Sequence, residues 1–304
     1  MLTAFQQRFS RLLAWYGSSC PAHRGKWRIV NLGIRCGGLQ SGYVEPVIAT
    51  RRARKMELDL NSHIDQTIYY HGSYETWDTM FLETIIQPGW IMFDIGVNIG
   101  WHSLMASKHI GPLGRIYAFD ISEEEIRKFQ RNLDLNQISN VEPVLNAISD
   151  HPGKVRTTET RDSGQTSLAL SSQTGREVNA TTLDEFTSNR KITRLDIIKI
   201  DIEGAEVKFL NGGATTLKQL QPILMMELNH SALERFGHEV SVPVNILKGL
   251  GYRLFRCQPR GLPPLKTPPV RGEYFNVIAL PGQLAGDDAP RDWAAVARLG
   301  VARG

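Results

Sequence analysis

The sequence predicts an open α/β sheet, mostly parallel, with helices on both faces and one antiparallel strand at the end, behind an N-terminal layer of helix and short strands. Three observations predict it. From Trp90 onward, apolar runs of strand length alternate with helical patterns. The run 195–200, Leu-Asp-Ile-Ile-Lys-Ile, is nearly all apolar, as a parallel strand covered on both faces should be. The last two strand-like runs, 252–257 and 274–280, are joined by a Pro/Gly-rich loop with no crossover helix, so they should pair antiparallel.

The elements follow in order. Residues 1–80 are expected to form a separate cap. A short basic amphipathic helix opens it, with Leu2, Phe5, Phe9, Leu12 and Leu13 interrupted by Arg8 and Arg11. Extended runs follow at 27–30, 43–50 and 56–60, and a helix at 76–86 is stopped by Pro88-Gly89. The main domain is expected over 81–282. Its strands are 91–95, 115–119, 141–146, 195–200, 222–227 and the final pair. Its helices are 100–109, 122–135, 182–189, 204–220 and 241–250. Ser122, with Glu125 three residues on, is the start signal of the second of these. Segments 154–160 and 176–182 read as an inserted hairpin around 161–175. Residues 283–304 read as a tail with a short helix around Trp293.

Bulk properties bound the function. With 41% hydrophobic and 22% charged residues, the chain has an ordinary globular composition. No apolar run is long enough to span a bilayer, and the opening lacks a secretory pattern. The amphipathic opening helix is compatible with packing on its own domain and with peripheral contact to a membrane or partner. The three cysteines, Cys20, Cys36 and Cys257, give no disulfide framework and no zinc spacing, which suits the cytoplasm. A net charge of +4 does not demand nucleic acid. The cluster Arg51, Arg52, Arg54 and Lys55 is expected to be a solvated turn, with steering of a substrate or phosphate as the alternative.

The most informative stretch is Asp94-Ile-Gly96-Val-Asn98-Ile-Gly100. It is a strand–turn–helix unit whose glycines allow a ligand and a helix to approach the strand closely. A second strand ends in Asp120, placed to accept both hydroxyls of a ribose. The turn is not Gly-x-Gly-x-x-Gly. Asp94 at its mouth would repel a diphosphate and suit a cationic group, so it favours S-adenosylmethionine over a dinucleotide or a ligand-free turn. Asn146-Ala147, after the third strand, would border the adenine. Asp94, Asp120, Asn146, Asp201 and Glu227 all fall at strand ends, where ligands of such sheets bind.

Two further segments carry chemistry. In Lys199-Ile-Asp201-Ile-Glu203-Gly204-Ala-Glu206, the lysine and Asp201 share a strand face, and Glu203 and Glu206 would share a helix face. In Glu227-Leu-Asn229-His230, a carboxylate is followed by an amide and an imidazole. A hydroxyl acceptor needs a base, a metal ion, or both. Asp201 and Glu227, with Asn229 or His230, could bind a divalent cation. Alternatively a carboxylate could orient His230 as the base. The spacing leaves this choice, and the metal itself, open.

With these residues in view, the chain resembles the FkbM family of S-adenosylmethionine-dependent methyltransferases. The resemblance rests on 93–100, Ala118-Phe-Asp120, Asn146-Ala-Ile-Ser-Asp150, Thr182-Leu-Asp184, Ile198-Lys-Ile-Asp-Ile-Glu-Gly-Ala-Glu206 and Met226-Glu227. It implies a Rossmann-like class I methyltransferase fold. It also implies O-methylation of a hydroxyl on a sugar, glycolipid or secondary metabolite, with Asp201 and Glu227 beside the acceptor. Val97 and Asp120-Ile121 depart from the family's usual Ala and Glu-Pro. The region His71-Gly-Ser-Tyr-Glu75 also resembles the family and implies that Tyr74 and Glu75 cap the cofactor. The expected partner is a small-molecule or glycan acceptor. An RNA methyltransferase or a non-catalytic binding protein are the alternatives, and the first lacks a cysteine nucleophile, a base-clamp motif and an RNA-binding module. Loops 161–175, 231–243 and 258–272 are expected to shape the acceptor pocket.

Overall fold

The computed structural model describes residues 2–21, 23–159, 166–168, 176–259, 261–285 and 293–301. The chain divides into two compact units, one built from Met1–Thr76 and Arg131–Gln137, the other from most of the remainder.

In the first unit, α1 (Ala4–Ser19) begins with a capping box between Thr3 and Gln6. α2 (Lys26–Cys36) corrects the extended reading of 27–30. Four residues, three of them apolar and two of those β-branched, resemble a strand. Val30 and Gly33 within the helix and Gly37 at its C-cap fall at helical spacing, and the two glycines admit Leu13 and Phe9 of α1. A hairpin of β1 (Val47–Arg51) and β2 (Arg54–Leu58) follows, turning through Arg52 and Ala53, both with positive φ. The basic cluster here is not simply solvated. The Arg51 guanidinium donates to the Ile68 and Tyr69 carbonyls of α3 (His63–His71) and lies over the Tyr69 ring. Asn132 and Asn136 side chains pair with the backbone of Glu57 and Lys55.

The second unit opens with α4 (Thr76–Ile85), then β3 (Ile91–Ile95), α5 (Trp101–Ile110), β4 (Arg115–Asp120), the first two turns of α6 (Glu123–Leu135), whose last residues belong to the first unit, and β5 (Val141–Leu145). A small second sheet contains β6 (Ala147–Ile148), β7 (Gly153–Glu159), β8 (Thr166–Leu168) and β9 (Arg176–Thr181). β7 and β9 pair antiparallel, as the hairpin reading required, while residues 160–165 and 169–175 lie outside the described set. Then come α7 (Leu183–Asn189), β10 (Ile197–Ile200), α8 (Glu206–Gly212), α9 (Ala214–Leu220), β11 (Ile223–Asn229), α10 (His230–Arg235), α11 (Ser241–Gly249), β12 (Tyr252–Arg256), β13 (Tyr274–Pro281), α12 (Gly282–Ala285) and α13 (Trp293–Val301).

The main sheet has seven strands in the order β12-β13-β11-β10-β3-β4-β5. All neighbours are parallel except that β13 runs antiparallel to both β11 and β12. This is the Rossmann-like sheet with an antiparallel last strand. β10 sits between two parallel neighbours, which explains its apolar run. One sheet face carries Phe93, Ile95, Phe119, Ile198, Ile200 and Met226 against α7, α8, α9 and α11. The opposite face turns Asp94 toward Ser103 on α5.

The expected single helix 204–220 is two helices. Gly212 ends α8 and Gly213 opens α9. Asp184 takes over the exposed amides, accepting from Thr215 and Thr216 through its two oxygens. Thr182 caps α7 by accepting from the Glu185 N–H. The Thr-Leu-Asp segment therefore joins two helix starts.

Phe186 packs edge-on against Phe93, Tyr117 and Phe119 at centroid distances of 5.6, 5.6 and 4.8 Å. Phe186→Ala should lower the unfolding free energy by about 3–5 kcal/mol, measured by denaturant titration.

Candidate active site

The site is built at the carboxyl ends of β3, β4, β10 and β11. Gly96 (φ +82°) lets the chain leave β3 beside β10: a Cβ there would lie 1.8 Å from the Asp201 carbonyl oxygen. Gly100 (φ +90°) starts α5, and a Cβ there would meet the Phe129 ring at 1.9 Å. Protein atoms thus fill the space that both glycines leave, which explains them through packing. Asn98 holds a left-handed conformation (φ +52°) and its side-chain oxygen accepts from the Ile99 N–H.

Asp120 closes the turn. One oxygen accepts from the Asn98 N–H at 2.8 Å and the other from Ser122 at 2.9 Å. Burial pushes its carboxyl up to about 6 against the opposing pull of those amides. Asn146 donates its backbone N–H to the Asp120 carbonyl, and its buried Oδ1 has no hydrogen-bond partner. Ala147 begins β6 and is buried. Asp94 is 1% exposed; Ser103 donates to its Oδ2 at 2.6 Å, and its Oδ1 is also without a partner. Burial raises the Asp94 carboxyl, with Lys199 opposing.

Lys199 is 4% exposed, lies beside Asp94 in the sheet register and forms an ion pair with Asp201 at 3.2 Å. The shared strand face of Lys199 and Asp201 is therefore observed. Asp201, Glu203 and Glu227 each offer a carboxylate oxygen within 4.8 Å of the others. Glu203 reaches this cluster from a left-handed backbone (φ +53°) before α8 begins, with Arg235 3.8 Å away. The expected common helix face of Glu203 and Glu206 is not formed. Glu206 instead turns back to accept from the Gly204 N–H. Its Oε2 is buried without a partner, and burial together with Asp201 and Glu203 pushes the carboxyl up to about 7.

The second segment divides. Glu227 joins the carboxylates, whereas the Asn229 side chain caps α10 by accepting from Ala232. That task weakens Asn229 as a metal ligand. His230 begins α10 with Nδ1 buried and unpartnered, and it is not part of the three-carboxylate cluster.

Two neighbours of Lys199 escaped the sequence reading. Asp78 on α4 is hydrogen bonded by Cys257 and Asn276, and burial raises its carboxyl while Lys199 opposes. His102 is buried behind the glycine turn, and burial and Lys199 hold its imidazole well below its ordinary value. His102 directly follows the turn and was findable. Asp78 and its partners come from three distant segments, and no local spacing joins them.

A family model described as the methyltransferase FkbM domain matches residues 94–254, more than half of the chain. The chain belongs to the FkbM methyltransferase family. Asp94, Asp120, Asn146, Lys199, Asp201, Glu227 and His230 all lie within this FkbM domain. Ribosomal protein L11 methyltransferase of Caldanaerobacter subterraneus is 39% identical over 75 residues, 23% of each protein. Hexuronic acid methyltransferase AglP of Haloferax volcanii is 19% identical over 135 residues, 44% of this chain and 54% of that one. The matched segment thus spans between about a quarter and about half of these relatives. Among solved structures, methyltransferase FkbM of Methylobacillus flagellatus aligns with a TM-score of 0.40 and 15% identity, over 71% of this chain and 54% of that one.

Glu206 gives a pH test of this geometry. Its folded value lies above the ordinary carboxyl, so the folded state holds a proton that the unfolded state releases. The Glu206 contribution to stability should be fullest below about pH 4.5 and decline through about pH 7, by up to about 3 kcal/mol. Glu206→Gln, which keeps the acceptor for Gly204, should flatten that decline in denaturant titrations across the window.

Proposed function

We propose that this chain is an S-adenosylmethionine-dependent methyltransferase that methylates a hydroxyl of a sugar, glycolipid or secondary metabolite. The observation that carries the reading is the group Lys199, Asp201, Glu203 and Glu227 at the ends of two adjacent strands, on the same rim as the glycine turn. S-Adenosylmethionine, when bound, supplies a methyl group already activated on a sulfonium.

The chain's own groups fit such a cofactor. Asn146 Oδ1 is a buried acceptor with no protein donor, suited to an exocyclic amine. Asp120 would hold the ribose hydroxyls. Asp94, whose Oδ1 is unsatisfied, would favour the positively charged end. The remaining chemical task is the acceptor's proton. Asp201, paired with Lys199 at 3.2 Å, would receive it. Asp201, Glu203 and Glu227 are also the set that would hold a divalent cation, which would lower the acceptor's pKa. His230 is the alternative base.

Asp201→Asn should reduce transfer of labelled methyl to an acceptor fraction by about a hundredfold or more while leaving cofactor binding intact. Lost cofactor binding would instead move Asp201 into the cofactor set, and label entering RNA would overturn the acceptor class. Chelation that abolishes activity, reversed by magnesium, would assign the carboxylates to a cation. Cofactor affinity measured by calorimetry should fall as pH drops through about 6, where Asp120 takes up its proton.

A further inference from the structure

The opening segment has a charge pattern unlike the rest of the chain. No acidic residue occurs before Glu45, whereas Arg8, Arg11, Arg24, Lys26, Arg28 and Arg35 are all basic. The whole chain carries only +4, so its positive excess is concentrated there.

The structure adds a second, independent observation. α1 buries Ser10, Leu13, Ala14 and Gly17, and turns Phe5, Arg8, Leu12 and Trp15 outward at three- and four-residue spacing. Phe5, Leu12 and Trp15 are 77%, 60% and 59% exposed. On α2, Val30 faces inward while Trp27, Arg28, Ile29 and Leu32 face out. Six of the fourteen large apolar side chains left exposed among the described residues lie on these two helices. A purely solvated helix face would not carry two tryptophans and three aliphatic chains beside its arginines.

We propose that α1 and α2 dock the protein on a bilayer surface of anionic phospholipids. The arginines meet the headgroup phosphates, and Phe5, Leu12, Trp15 and Leu32 enter the acyl boundary. Among the described residues no helix is long and apolar enough to cross a membrane, so the attachment is peripheral. A second copy of the same face is a poor partner, because six cations without one acid repel their like. RNA would satisfy the arginines but give Leu12, Ile29 and Leu32 nothing to bury against.

The test is flotation of the full chain with vesicles of phosphatidylcholine alone or mixed with phosphatidylglycerol. Binding is expected only to the mixed vesicles and should weaken as salt rises. Leu12→Gln with Trp15→Gln should reduce binding about tenfold or more. Arg8→Gln should cost about fivefold. All these positions are exposed, and Ile29→Gln with Leu32→Gln tests the surface from the second helix should the first pair perturb α1. No flotation with anionic vesicles would overturn the proposal. So would equal, salt-insensitive binding to both vesicle types, or a dimer that Leu12→Gln and Trp15→Gln dissociate without any vesicle binding. None of these readouts depends on methyl transfer, so the proposal stands or falls apart from the catalytic reading.

Discussion

A lysine ammonium buried in the central strand of the sheet organises this molecule. An isolated charge of that kind is costly to remove from water, so acids must surround it. Asp201 pairs with it directly, Asp94 faces it across the strand register, and Asp78 reaches it from α4. His102 is held well below its ordinary value by burial and, secondarily, by the same charge. The carboxylates at the strand ends are therefore part of a charge balance centred on Lys199.

The glycine turn is coupled to this balance through the backbone. Gly96 admits the Asp201 carbonyl, so the ends of β3 and β10 lock together where the acids gather. Asp120 then fixes the turn with both oxygens on backbone amides. A carboxylate already holding two amides is rigidly oriented toward whatever its remaining lone pairs meet. The protein's own backbone amides thus hold the rim, which reduces the ordering cost of binding.

The sheet was legible because burial imposes a period that sequence records. Continuous apolar runs marked β3, β10 and β11, and the Pro/Gly-rich, helix-free connection before β13 marked its reversal. What failed was reading too short a window, as with Trp27–Val30, where four residues cannot separate an extended run from a helix face. The helix expected at 204–220 concealed a break because two adjacent glycines weigh little against a long favourable pattern. At the site, residues at strand ends could be found from the α/β rule alone. Their division of labour could not: Asn229 looked like a ligand and serves as a helix cap, and Glu203 looked helical and precedes the helix. Asp78 was invisible because its neighbours, Cys257 and Asn276, lie far away in sequence.

Glu203 holds a left-handed backbone conformation that a side chain with a Cβ adopts at a cost of about 1–2 kcal/mol. Glycine would occupy it freely. A screen that rewards thermal stability alone should therefore favour glycine there and, in doing so, remove one of the three clustered carboxylates. Robustness and the acidic cluster pull that position in opposite directions, and the glutamate records which of the two the fold has given up.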